Sequence, residues 1–424
     1  MPEAEQSAAA AAAARPTDPA VVGAQGSPNR LSPLRFVLAF GVVSLLADFV
    51  YEGARSIVGP YLATLGASAA LVGFITGAGE AVALVFRLFS GRVSDRSGRH
   101  WALSISGYVI TVVAVPVLAA AQVLWQASVL VVAERFGKAV RTPARDTMLS
   151  HAGVSLGRGW AFAVHEAMDQ SGALLGPLLV ALMTAISGYR LGFGVLAVPG
   201  VLALLALAWL RRAAPSPALY AEEPAKPTAA RPVVAGPGPA RLGGFSGRFW
   251  LYSAFTALSM AGFATFGVLG YHLQVRHVVA PAVIPVIYAV AMGADAVASI
   301  FSGRAYDRVG LRVLLVAPVL AAIVPFLSFS RSPALVWIGG AVWGAAFGVH
   351  ESTLRAAVAD LVPPERRGTG YGTFTAVYGL AWLAGGTIIG VLYAQSVQAV
   401  IWFTLALQAL ALLALLPLLS RRGA

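Results

Sequence analysis

Twelve apolar runs, each close to twenty residues long, fill most of the chain between residues 34 and 418. A helix needs about 20 apolar residues to cross a bilayer. On that scale spans fall near 34–54, 68–90, 101–121, 125–149, 160–186 and 190–210, then near 249–273, 281–302, 313–330, 334–357, 370–394 and 397–418. Hydrophobic residues make up 58% of the chain and charged ones 11%. Soluble domains run near 45–50% and about 25%. A mean hydropathy of +0.77 agrees. The chain reads as an integral membrane protein of helical spans, and a soluble globule is excluded.

Between the second and third runs lies Gly91-Arg92-Val93-Ser94-Asp95-Arg96-Ser97-Gly98-Arg99-His100. Charges are expensive in lipid, so this segment lies in water, and its glycines suit a tight turn. A second copy, Gly303-Arg304-Ala305-Tyr306-Asp307-Arg308-Val309-Gly310-Leu311-Arg312, follows 212 residues later, half of the 424. The chain reads as two related six-span halves, 33–210 and 248–420. Residues 211–247 carry seven prolines and scattered charges, a composition that reads as a linker. Residues 1–32 read as a disordered tail rather than a secretory signal, with acids at positions 3 and 5 and no strong apolar core.

The net charge of +12 would suggest nucleic acid in a soluble protein. Here the basic residues sit in short connections on alternate sides. Arg92, Arg96, Arg99, Arg211, Arg212, Arg304, Arg308, Arg312, Arg366 and Arg367 fall on the side of the termini; Arg55, Arg190, Arg276 and Arg331 are assigned to the other. The positive-inside rule then puts both termini in the cytoplasm, and no nucleic-acid partner is expected. There are no cysteines, so disulfides and thiolate chemistry are excluded.

Two six-span halves, a linker and this segment in each half resemble the major facilitator superfamily of secondary transporters over about residues 34–420. The signature reads roughly G-x-L-x-D-[RK]-x-G-[RK]-[RK]. Gly91, Asp95, Arg96, Gly98, Arg99 and His100 match it, with Val93 at the Leu position; Gly303, Asp307, Arg308 and Gly310 match in the second half, with Leu311 replacing a basic residue. The resemblance implies that Asp95 and Arg96, with Asp146 at the end of the fourth span, latch the halves when the outside is open. Gly172, Gly176 and Pro177 resemble the G-x-x-x-G-P stretch of the superfamily's exporters, and equally suit a close-packing helix face. The Arg that exporters carry four residues before a Gly in the fourth span is displaced: Arg135 precedes Gly137 by two.

Ionisable residues inside spans are candidates for a site, because each costs about 2.5–3.5 kcal/mol at mid-membrane. Asp48, Glu52 and Arg55 share one face of the first span, and Glu80 lies deep in the second. Glu134, Lys138, Arg141 and Arg145 form one stripe on the fourth, expected to line a central cavity. His165, Glu166 and Asp169 on the fifth could take and release a proton, or serve only as packing glue; metal binding is not expected. The second half offers Asp295, His350, Glu351 and Arg355. Aligning the tenth span on the fourth sets Glu351 against Arg141, an expected approach across the cavity in one state. Tyr271, Trp337, Trp343, Phe347, Tyr371, Phe374, Tyr378 and Trp382 could stack on a ligand or form an interfacial belt.

These readings converge on a secondary transporter that moves a small molecule across the cytoplasmic membrane by alternating access around a midplane site. No G-x-x-x-x-G-K-[ST] stretch is present, so a gradient is the expected energy source. Proton-coupled efflux is the first expectation and import of a nutrient or organic anion the second. A non-transporting receptor or scaffold fits the buried charges less well. No cofactor and no enzymatic activity are expected, and a monomer is.

Overall fold

The computed structural model describes residues 29–221, 244–363 and 366–419. Most of the expected tail and part of the expected linker lie outside the described residues. The regular elements are helices: α1 (Pro33–Thr64), α2 (Ala69–Ser97), α3 (His100–Val117), α4 (Leu124–Leu156), α5 (Arg158–Val195), α6 (Ala197–Ala213), α7 (Gly247–Ala261), α8 (Phe266–Val275), α9 (Ile284–Val309), α10 (Val316–Ser328), α11 (Pro333–Leu361), α12 (Arg367–Gln395) and α13 (Val397–Leu419).

Among the described residues, nine helical stretches are long and apolar enough to cross a membrane. Two of them, Gly159–Ala213 with 55 residues and Pro281–Ser328 with 48, are too long for one crossing at about 1.5 Å per residue. The first turns back at Ser187–Gly188, where Gly188 has φ +74°, and the second at Gly310, with φ +63°. A side chain at such a φ would clash with its own backbone, so glycine stands there. α4 misses the apolar criterion through its charges. Counting the folded-back pairs twice and adding α4 gives twelve crossings.

Four chain ends meet on one side. Arg30 N donates to Ala213 O at 2.7 Å, the Asn29 side chain donates to Ser216 O at 2.8 Å, and Arg248 donates to Leu418 O at 3.2 Å. Residues 29–32, expected in the tail, and 215–221, expected in the linker, are thus placed against the bundle. Tyr220 is buried against Phe36 at 5.4 Å between ring centroids. Lipid-facing tryptophans mark both interfaces. Trp125 and Trp402 are 67% and 63% exposed on the side away from the termini, and Trp160 and Trp209 are at least half exposed on the terminal side.

Two features depart from the sequence reading. The segment 91–100 is mostly helix: α2 runs two turns past the apolar stretch to Ser97, and only Gly98 (φ +61°) and Arg99 form the turn. A charged, solvated helix end reads like a loop in sequence. The seventh span is broken between α7 and α8 across Gly262–Thr265. The break frees carbonyls in an apolar interior. The indole N–H of Trp382 donates to Phe263 O at 2.9 Å, and that of Trp343 donates to Ala264 O at 2.8 Å.

The halves close on the far side through backbone-to-backbone packing. A Cβ on Gly59 (α1) would lie 2.0 Å from Gly267 O (α8), and one on Gly73 (α2) 2.1 Å from Gly386 O (α12). Tyr189 donates to Gln274 Oε1 at 2.5 Å across the same end. Among the described residues no comparable packing joins α4 to α11 on the terminal side. Gly172 and Gly176 seat α5 on α1, each with a Cβ position 2.2 Å from a carbonyl oxygen, of Leu45 and Phe49.

Gly344 tests this packing within the second half, since its Cβ would meet Ala291 O at 1.9 Å, whereas Gly303 faces open space. Gly344→Val should lower stability by about 1–3 kcal/mol, read as a fall in the thermal unfolding midpoint of the purified protein. Gly303→Ala should stay within about 0.5 kcal/mol of wild type.

Candidate functional site

At mid-depth the first half brings its charges together. Glu80 on α2 sits between two arginines, 2.9 Å from Arg55 on α1 and 3.4 Å from Arg135 on α4. Arg55 also reaches Glu52 at 3.5 Å, and Arg135 reaches Glu134 at 3.3 Å and donates to the Tyr51 hydroxyl. Lys138 Nζ lies 3.7 Å from the centre of the Tyr51 ring. These side chains are at most about one-eighth exposed. Helical spacing explains the convergence: Asp48, Glu52 and Arg55 recur every three or four residues, so one face of α1 meets α2 and α4. Arg55, assigned to the far-side connection from sequence, is in fact a central residue.

The second half answers with rings. The Arg55 guanidinium lies 5.3 Å from the Phe347 ring and 6.0 Å from that of Trp382, distances at which a cation is held by the π face. Trp343 stacks on Phe347 at 5.4 Å and on Phe263 at 5.6 Å. Tyr288 on α9 donates to Glu52 across the halves, and Thr76 meets Thr265 at 2.8 Å. A cavity of about 30 Å³, lined by Arg55, Glu80, Glu134, Arg135, Thr265 and Phe266 among others, remains between them. That is room for one or two waters. The expected aromatic set is split. Trp343, Phe347 and Trp382 face the centre and Tyr378 packs edge-on against Trp382, while Phe374 stacks on Tyr252 in the terminal-side core. Tyr271 and Trp337 pack against the far-side core of the second half, and Tyr371 against the terminal-side one.

A second charged layer lies closer to the termini. Arg141, almost wholly buried, pairs with Asp48 at 3.4 Å and covers the Tyr108 ring at 4.5 Å. Arg145 bridges Asp146 at 3.0 Å and Asp169 at 3.3 Å, and His165 Nε2 lies 3.6 Å from Asp169 and 3.4 Å from Ser44. The expected His165–Asp169 pair is therefore present, with Arg145 as a third member. Glu166 is exposed. The pairing of Arg141 with Glu351 is not the one in this structure. Asp48, on the adjacent helix of the same half, takes that role, and Glu351 acts on Arg55 and Asp295 instead. His350 is buried beside Ser259 at 3.4 Å. The side chain of Arg355 lies outside the described ones.

The expected latch is not engaged. Asp95 and Arg96 are exposed, as are Asp307 and Arg308, and Asp146 is held by Arg145. The implied latch belongs to the outside-open state, whereas here the far side is shut. Gly98 stops the helix, whereas a Cβ on Gly91 would make only ordinary contact with Pro143 of α4, 3.8 Å away. Arg99 is exposed beside that stop, and Gly310 ends α9 in the same way. Sequence reasoning missed Tyr51, Tyr108 and Tyr288, because a lone tyrosine in an apolar run carries no spacing signal. Among the described residues no three metal-ligating side chains gather.

Glu80 is the hub of the first layer, so Glu80→Ala should leave two buried guanidiniums short of charge. A loss of about 3 kcal/mol in stability is expected. Adding Arg55→Ala should restore part of the thermal midpoint, because the orphaned cation is removed with its partner.

The description Major Facilitator Superfamily matches residues 40–293 and 258–423. The uncharacterized protein Rv2265 of Mycobacterium tuberculosis is 51% identical over 384 residues, 90% of this chain and 92% of its own length. The uncharacterized MFS-type transporter MJ1317 of Methanocaldococcus jannaschii is 26% identical over 373 residues, 84% of this chain and 88% of its own. Among solved structures, a point mutant of the nucleoside transporter NupG superposes with a TM-score of 0.72 at 14% identity, over 90% of this chain and 99% of that one. A bacterial homolog to the human lysosomal transporter Spinster, inward-facing and unoccupied, gives 0.68 at 16% identity, over 95% and 100%. At such identities these two show the fold alone. The chain belongs to the major facilitator superfamily, as a multi-pass secondary transporter of the cell membrane and not an enzyme.

Proposed function

We propose that the protein exports a small molecule from the cytoplasm in exchange for protons, by alternating access of its two halves. The observation that carries this reading is the state of the centre. The far side is shut by glycine-to-backbone contacts, α4 and α11 lack such packing on the terminal side among the described residues, and the charges between them are paired internally. The positive-inside rule places the terminal side in the cytoplasm, so this is the state in which an exporter would load. A ligand entering the centre meets Arg55, Glu80 and Arg135 already bonded to one another, with an aromatic wall opposite. Binding must exchange those pairs for ligand contacts, which ties occupancy to the geometry of α1, α2 and α4. The Gly172–Pro177 stretch, which resembles that of the superfamily's exporters, seats α5 directly on α1, the helix that carries Glu52 and Arg55. The protein is read as a monomer, since each half already supplies the other's wall.

Two measurements check this. A resistance and growth screen of a deletion strain supplies candidate solutes, whose flux is then followed in proteoliposomes. Uphill flux should follow an imposed pH gradient and collapse with a protonophore; flux indifferent to the gradient rejects proton coupling. Separately, Gly59→Leu cannot coexist with the shut far side, because its Cβ position overlaps Gly267 O. The chain has no native cysteine, so a Thr265→Cys reporter is clean. In the Gly59→Leu background it should be labelled from the far side by an impermeant maleimide several-fold faster. Equal labelling in both backgrounds would contradict the gating role of this contact.

A further inference from the structure

Asp295 differs from every other buried acid in the membrane. It lies near the middle of α9 and is 2% exposed. Glu52, Glu134 and Asp169 are comparably buried, and each has an arginine within salt-bridge distance, as do the half-buried Asp48 and Glu80. Asp295 has none among the described residues. Its hydrogen-bond partner is neutral: Ser299 Oγ, one turn on, donates to Oδ1 at 3.2 Å, and the uncharged Gln170 side chain of α5 lies near it from the other half. The charged groups that act on it are Glu351 of α11 and Glu52 of α1, both acidic. From α5, Gln170 is uncharged, and Asp169 beside it is held by Arg145. A bare carboxylate here would be a buried anion beside two further acids, and the cation those two share, Arg55, is within salt-bridge distance of Glu52 and not of Asp295.

The seam between α9 and α11 leads away from this carboxyl toward the terminal side. Ser299 Oγ also donates to Gly348 O at 3.1 Å, and Ser352 Oγ donates to the same carbonyl at 2.9 Å. Ser302 and Ser352 share a hydrogen bond of 2.7 Å. One turn further, Tyr306 donates to Asp360 Oδ2 at 2.7 Å, and Asp360 is exposed. Asp295, Ser299, Ser302 and Tyr306 follow four-three-four spacing, so they form one stripe on α9 that faces α11. Gly348 lets the two helices meet at the carboxyl: its Cβ would lie 2.6 Å from Asp295 Oδ1. A polar stripe between two packed helices, starting at a lone acid and ending at a surface acid, has no packing purpose that apolar residues would not serve better.

We propose that Asp295 binds the coupled proton, and that the polar seam of Ser299, Ser352, Ser302 and Tyr306 guides it to and from the terminal side at Asp360, carried by water that enters where the hydroxyls do not meet. This deepens the proton-coupled reading above and rests on it. With its proton the acid is neutral, and the contact between α5 and α9 at this depth stays dry. When the proton leaves, the carboxylate faces Glu351 and Glu52, and the contact must admit water or part. Gln170, near it on the other half, suits both states, because an amide is able to accept from the acid or to donate to the carboxylate. The proton site is thereby separate from the ion-paired centre, joined to it through Glu52.

The test needs no substrate, so its failure is distinct from that of the flux experiment. Infrared difference spectra of the purified wild-type protein at near-neutral pH should show the carbonyl stretch of a buried protonated carboxyl. Asp295→Asn, which keeps shape and hydrogen bonds, should remove it, and Asp169→Asn should not. Carboxyl-labelled aspartate should shift the band in the wild-type protein, which covers the case in which Asp295→Asn fails to fold. In heavy water the band should move as the proton exchanges, several-fold more slowly in the Ser302→Ala/Ser352→Ala variant. A band that survives Asp295→Asn, or is insensitive to labelled aspartate, overturns the assignment. Unchanged exchange in the serine variant overturns the seam.

Discussion

An ion in hydrocarbon must find its counter-ion inside the protein, and the placement of Glu80 between Arg55 and Arg135 is how this chain meets that constraint. Three helices are tied by one carboxylate. Because both arginines also hold an acid on their own helix, Glu52 and Glu134, the cluster is a five-membered chain of alternating charge. Such a chain stabilises a geometry without committing it. Any one pair can be exchanged for a ligand group or a water while the neighbouring pair holds, so the cost of a rearrangement is a difference between pairs rather than the full desolvation of an ion.

The two halves share a fold but divide the chemistry. The first supplies the layered ion pairs, the second the aromatic wall and Asp295. The wall is itself held by the backbone: Trp382 and Trp343 bond the carbonyls that the break between α7 and α8 leaves open. Their indoles are thereby oriented with their faces toward the centre, where Arg55 rests on Trp382 and Phe347. The broken helix, which costs backbone hydrogen bonds, is thus coupled to the position of the rings, and α8 carries Gly267 into the far-side closure. A shift of α8 would move gate and wall together.

How much of this was legible depends on the range of the interaction. Spans are local, and twenty apolar residues announce themselves; even the fold-back at Ser187–Gly188 fell between the fifth and sixth runs as read. Faces are nearly local, so the four- and three-residue steps of Asp48, Glu52 and Arg55 brought out a shared surface, and His165 and Asp169 a real pair. Partners across helices are not local. Arg141 was matched to Glu351 by symmetry between halves, but the nearer acid belongs to α1 of its own half. The break at Gly262–Thr265 has no proline and reads as uninterrupted membrane. The helical extension to Ser97 was hidden for the opposite reason, since a solvated helix end has the composition of a loop.

Far-side closure and terminal-side separation use different physics, and that difference bears on how the molecule can cycle. The far side closes through glycines that bring backbones together, a contact of short range that is made or lost within about an ångström. The terminal side carries charged helix ends, Asp95 and Arg96 in one half and Asp307 and Arg308 in the other, all exposed in this state. Contacts between such ends act over several ångströms and are screened by salt. A gate of backbone contacts and a gate of surface charges need not share strength at every ionic condition. Between them stands a centre whose ion pairs, Glu80 with Arg55 and Arg135, join α1, α2 and α4 within the first half and so belong to neither gate.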